Sequence, residues 1–79
     1  MNWKDYIISD KEILLGKPTV KGTRISVEHI VSLLAQGWSE ATILENYPRL
    51  NKESMKAVFS YLQECLHDGL LFPPFKKTA

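Results

Sequence analysis

The residues with the clearest chemistry in this chain are cations. Lys17, Lys21 and Arg24 fall between Gly16 and Ile25 with no acid among them, and Arg49, Lys52 and Lys56 form a second group further along. A guanidinium is a rigid planar fork that takes two oxygens of a carboxylate or phosphate at once, whereas an ammonium is a mobile point charge. Groups of both kinds suit a phosphate backbone, where Arg and Lys fix register and orientation without reading sequence. The whole chain offers no such attraction, because ten Lys and Arg against nine Asp and Glu leave a net charge of +1. Any affinity for a polyanion has to come from uneven placement of charge.

Catalytic and metal chemistry meets the wrong residue types. Cys65 and His67 form a single C-x-H pair, short of the closed ligand set of a zinc site, and His67 suits a helix C-terminus, where the dipole favours a cation. Gly16-Lys17 lacks the upstream glycine and the following hydroxyl of a phosphate-cradling loop. Ser26, Glu28 and His29 lie too close along one helix start to make a nucleophile relay. They read instead as an N-cap, an acid favoured by the helix dipole and a solvent-facing residue. The expectation is a protein that is not an enzyme and takes no metal or cofactor.

A second recognition chemistry lies near the carboxyl terminus. Leu71, Phe72 and Phe75 are apolar side chains on a stretch that Pro73 and Pro74 hold extended, a form suited to docking a partner protein. The rival reading is that the same three side chains cap the chain's own core, since a small core can use every apolar residue.

The elements that must carry these residues follow from periodicity and caps. Val27, Ile30, Val31 and Leu34 recur at helical spacing, with Ser26 as N-cap and Gly37 as stop, which predicts a helix over about 26–36. Ser39 caps a short second helix containing Ala41, Ile43, Leu44 and Tyr47, ended by Pro48. Asn51 caps the longest helix, with Met55, Val58, Phe59, Leu62 and Leu66 as its apolar stripe and Gly69 at its end. Upstream, Gly16, Pro18 and Gly22 break the chain into β-prone pieces at Tyr6–Ser9, Ile13–Leu15 and Thr19–Val20. The organisation expected is an extended arm with short strands over 1–25, a helix-turn-helix bundle over 26–69 and an apolar, proline-containing tail over 70–79.

Composition bounds the rest. Seventy-nine residues with 44% hydrophobic and 24% charged side chains describe one soluble globular domain. A core this small is marginal without disulfides or metals, and oligomerisation is the usual remedy, so a homodimer is expected. The lone Cys65 permits no intramolecular disulfide and fits a reducing compartment. The longest unbroken apolar run is three residues and the amino terminus lacks a signal-peptide core, so the expectation is a cytoplasmic protein outside the membrane.

The run Leu15-Gly16-Lys17-Pro18-Thr19-Val20-Lys21-Gly22-Thr23-Arg24-Ile25, with the later segments Leu33-Leu34-Ala35-Gln36-Gly37-Trp38-Ser39 and Tyr47-Pro48-Arg49-Leu50, resembles the prokaryotic family known as domain of unknown function 433. The resemblance runs from about Ile8 to Leu66, and its specific part is the string G-K-P-x-x-x-G-T-R-[IV]. It implies a mainly α fold, a small three-helix, homeodomain-like helix-turn-helix bundle with a short β-prone N-terminal arm. It also implies an antitoxin encoded beside a PIN-like nuclease toxin. Trp38 departs from the pattern, standing where smaller residues are common.

Two functions follow. The first is a homodimeric antitoxin-type protein that binds duplex DNA through Lys17, Lys21, Arg24, Arg49, Lys52 and Lys56, represses its own operon, and captures the toxin through Leu71, Phe72 and Phe75. The second is an interaction module for dimerisation or toxin capture without DNA. For the arm, a structural corner in which Thr23 and Arg24 bond a helix end or an acid competes with a strap laid along DNA. For the third helix, a solvated face competes with groove contact, and Glu53, Glu64 and Asp68 oppose deep insertion.

Overall fold

A computed structural model describes residues 1–69 of the chain. Three helices carry most of it: α1 over Val27–Ala35, α2 over Glu40–Asn46 and α3 over Lys52–His67. Each starts at the cap read from the sequence. Ser26 Oγ accepts from the His29 N–H at 2.9 Å, Ser39 Oγ from the Thr42 N–H at 3.1 Å, and Asn51 Oδ1 from the Ser54 N–H at 2.8 Å. A cap of this kind stabilises a helix by about 1 kcal/mol.

The end of α1 explains the tryptophan that departs from the family pattern. The Gly37 N–H donates to the Leu34 carbonyl at 3.0 Å and the Trp38 N–H to the Leu33 carbonyl at 3.1 Å, with Gly37 at φ +97. This pair of bonds is a Schellman closure, which needs a left-handed residue and draws the residue after it against the helix. Trp38 accordingly packs, half-buried, on the core.

That core takes one fully buried side chain or more from every helix: Ile30 from α1, Ile43 from α2, Met55 and Val58 from α3. Ile7 and Val20 join it from the amino-terminal segment. They lie on two short antiparallel strands, β1 (Ile7–Ile8) and β2 (Thr19–Val20), paired Ile7 to Val20 and Ile8 to Thr19. β2 then turns into a hairpin that leads straight into α1, with Thr19 bridging Ser26 and the Val27 N–H donating to the Pro18 carbonyl at 2.9 Å. A 3₁₀ turn at Trp3–Asp5 precedes β1 and lays the Trp3 ring edge-on to Tyr61 of α3, centroids 4.8 Å apart. The segment before α1 is therefore packed on its own helices. The protein is a mainly α, three-helix bundle with a short amino-terminal β element.

One local expectation is overturned. Ile13–Leu15 reads as β-prone, but Leu14, Leu15 and Gly16 form a turn at φ +51, +59 and +86. Closure of the loop between the strands decides this conformation against side-chain preference. The Gly16 N–H donates to the Ile13 carbonyl at 3.1 Å and the Lys17 N–H to the Leu14 carbonyl at 3.2 Å. Ser9 Oγ donates to the Gly16 carbonyl.

Candidate nucleic-acid interface

The hairpin joining β2 to α1 turns over Val20-Lys21-Gly22-Thr23, where the Thr23 N–H donates to the Val20 carbonyl at 3.1 Å. Gly22 stands at φ +81, the positive value that a type II turn demands of its third residue. Thr23 is buried, and its hydroxyl donates to the Val20 carbonyl at 2.7 Å while accepting from the Ile25 N–H at 3.0 Å. The threonine thus fixes the corner through the turn's own backbone, and neither a helix end nor an acid is its partner. Arg24, next in line, is exposed.

Arg49 arrives at the same place from a distant part of the chain. It sits in the connection between α2 and α3, which buried Leu50 anchors and the Leu50 N–H to Tyr47 carbonyl bond closes at 2.9 Å. Its Nη1 donates to the Gly22 carbonyl at 3.3 Å. Arg24 and Arg49 then line one open cleft of about 480 Å³ with Ile13, Gly22 and Thr23. No acid contributes to that lining, and a guanidinium engaged by one carbonyl keeps further N–H donors for an anion. Lys21 occupies the second position of the turn itself, exposed, with its backbone N–H bonded to the Tyr6 carbonyl at 2.7 Å.

The remaining cations are placed differently. Lys52 and Lys56 are exposed on the first two turns of α3, and Lys56 Nζ lies 3.9 Å from Glu53 Oε1. Lys17 belongs to the opposite, open end of the hairpin and pairs with Glu28 of α1 at 3.0 Å. Ser26, Glu28, His29 and Ser32 line a shallow polar depression with it. His29, read as solvent-facing, is exposed but holds Tyr47 with its Nε2 3.0 Å from the hydroxyl, linking α1 to the end of α2.

The outward face of α3 is mixed, with Phe59 45% and Leu66 43% exposed among Glu53, Gln63 and Glu64. Sequence reasoning missed an apolar groove of about 290 Å³ between α1 and α3, lined by Pro18, Val27, Glu28, Val31, Tyr61 and Leu62. The available signal was the width of the α1 stripe: Val31 extends it beyond what one neighbouring helix covers and stays 38% exposed. Burial raises the Tyr61 phenol above its ordinary pKa, and the neighbouring Cys65 thiol adds to the shift.

Among the described residues, no group of three or more His, Cys, Asp and Glu side chains converges as a metal site would require. No described helix is long and apolar enough to cross a membrane. Leu71, Phe72 and Phe75 lie outside the described residues.

Comparison with known proteins gives the same frame. The chain is 32% identical over 60 residues to the uncharacterized protein y4eO of Sinorhizobium fredii, a match covering 76% of this chain and 27% of that protein. It therefore spans about a quarter of that relative's length. Its fold superposes on the crystal structure of a DUF433 member protein from Anabaena variabilis with a TM-score of 0.74 and 26% identity, over 82% of this chain and 64% of the other. The family model described as "Protein of unknown function (DUF433)" matches residues 7–62, which include the hairpin, both arginines of the cleft and most of α3, and the chain belongs to that family.

Proposed function

We propose that this chain is an antitoxin-type regulator that binds duplex DNA as a homodimer, represses its own operon and neutralises a PIN-like nuclease toxin. The observation that carries the DNA reading is the convergence of Arg24 and Arg49, from segments far apart in sequence, on one cleft with no acid in its walls. Two planar forks on one concave surface suit a backbone phosphate, and Lys21 beside them and Lys52 and Lys56 on α3 extend the positive surface. In this reading α2 and α3 are the two arms of the helix-turn-helix, and the amino-terminal end of α3 approaches the duplex. Lys17 is left out, because Glu28 already neutralises it. The antitoxin part rests on the family resemblance, with Leu71, Phe72 and Phe75 as the toxin-binding side chains. The protein has no catalytic role in this scheme and acts in the cytoplasm.

Retardation of duplex DNA from the region upstream of the gene, at several salt concentrations, tests the reading. Arg24→Ala and Arg49→Ala should each flatten the slope of log K against log salt by about 0.9, and Lys17→Ala should leave it unchanged. No retardation at low salt would remove DNA binding. The reading left standing would be an interaction module, which the apolar groove and the acids on the face of α3 favour.

A further inference from the structure

We propose that two copies of this chain pair through the open end of the hairpin, with Leu15 of each copy seated in the apolar groove of the other. The proposal rests on the homodimer of the function proposed above and names the surface that forms it.

Leu15 is the knob. It is 92% exposed, far more than any other large apolar side chain described, and it stands at φ +59 between Leu14 at +51 and Gly16 at +86. A leucine takes the left-handed region only when its surroundings impose it, and asparagine or glycine would serve the same backbone with less strain. Here the loop's hydrogen bonds hold the backbone so that an apolar side chain is presented to solvent. Strain of this kind concentrates where a surface is used.

The groove is the hole. Its 290 Å³ exceeds the volume of one leucine side chain, and Glu28 is the only charged residue in its lining. Knob and hole are neighbours, since Leu15 and Pro18 are three residues apart and so within about 11 Å. A two-fold interface requires this, because the same patch on both copies must hold both halves of the contact.

Charge completes the match. Lys17 lies two residues beyond the knob, and Glu28 lies in the wall of the hole. When Leu15 enters the groove of the other copy, Lys17 travels with it to that copy's Glu28. The Lys17 and Glu28 side chains that pair at 3.0 Å within one chain remain 57% and 74% exposed, leaving both available for this exchange. A rim with one charge of each sign beside an apolar centre is complementary to itself under a two-fold rotation.

Sedimentation equilibrium of the full chain across a dilution series tests the pairing, with Leu15→Asn, Val31→Glu and Arg24→Ala as variants. Asparagine tolerates the left-handed backbone, so Leu15→Asn keeps the fold. The dimer dissociation constant should rise about a hundredfold or more, because each dimer loses two buried leucines. Val31→Glu should weaken the dimer in the same way, with its helical circular dichroism retained, and Arg24→Ala at the other end of the hairpin should leave it unchanged. A wild-type dimer that Leu15→Asn leaves equally tight would overturn this interface and keep the homodimer. A wild-type monomer at every concentration would remove the homodimer and the interface together. If Val31→Glu lowers the melting temperature without altering mass, the groove is covered by the chain's own residues 70–79 and the proposal is wrong.

Discussion

The two ends of the hairpin between β2 and α1 are built from one continuous string, Gly16 to Ile25, yet they have opposite chemistry. At the turn, Arg24 meets Arg49 in a cleft without an acid. At the open end, Lys17 is neutralised by Glu28, and the surface beside the pair is an apolar groove. Identical basic residue types in one short segment are thus sorted by what the following helices bring to each end. The α2–α3 connection delivers a second cation to the turn, and α1 delivers an acid to the base. A row of positive charges in a sequence is therefore a weak guide to a positive surface, because partners distant in the chain decide which charges survive.

The largest effect should come from breaking the frame that separates the two ends. Ile7 is 5% exposed and pairs with Val20 on the strand between them. Ile7→Ala should cost about 2 to 5 kcal/mol, enough to lower the melting temperature by about 10 °C or more in a domain of this size, as thermal denaturation would record. Cleft and groove should be lost together. A stability within error of the wild type would mean that the amino-terminal segment is not part of the cooperative unit.

Sharpening the contrast calls for a smaller perturbation. Lys17→Ala removes an ion pair between two exposed side chains, so its effect on stability should stay below about 1 kcal/mol and shrink further as salt is added. Denaturant titration at low and high salt would show it. A large, salt-independent loss would place Lys17 in a desolvated site and erase the distinction between the ends.

The smallest expected effect concerns pH and reports on the groove wall alone. Tyr61 has its folded-state pKa raised, first by burial and then by Cys65. An unfolded phenol ionises near about pH 10, so above that value the unfolded chain releases its proton before the folded one does. The unfolded state then binds fewer protons and stability falls as pH rises, whereas below about pH 10 both states are protonated and Tyr61 contributes no slope. Melting temperatures from pH 9 upward should decline less steeply for Tyr61→Phe than for the wild type, on the scale set by that reference pKa of about 10. Parallel declines would show that the groove wall is as wet in the folded state as in the unfolded one.

The sequence alone determined the helices and their ends, because these are local matters. Ser26, Ser39 and Asn51 each satisfy an N–H three residues ahead, and Gly37 ends α1 through bonds to carbonyls within the same turn, so neighbours along the chain carry the information. The string from Gly16 to Ile25 was legible as one unit for the same reason, its turn depending on Gly22 and on the buried hydroxyl of Thr23. The tertiary structure decided everything that joins distant segments. Arg49 reaches the Gly22 carbonyl only because Leu50 is buried beneath the α2–α3 connection, and Lys17 finds Glu28 only because the Pro18 carbonyl holds the first N–H of α1. Leu14 and Leu15 turn left-handed against their own preference because the loop must close between two paired strands. Propensity favours a conformation by fractions of a kcal/mol per residue, and closure of a packed loop outweighs it.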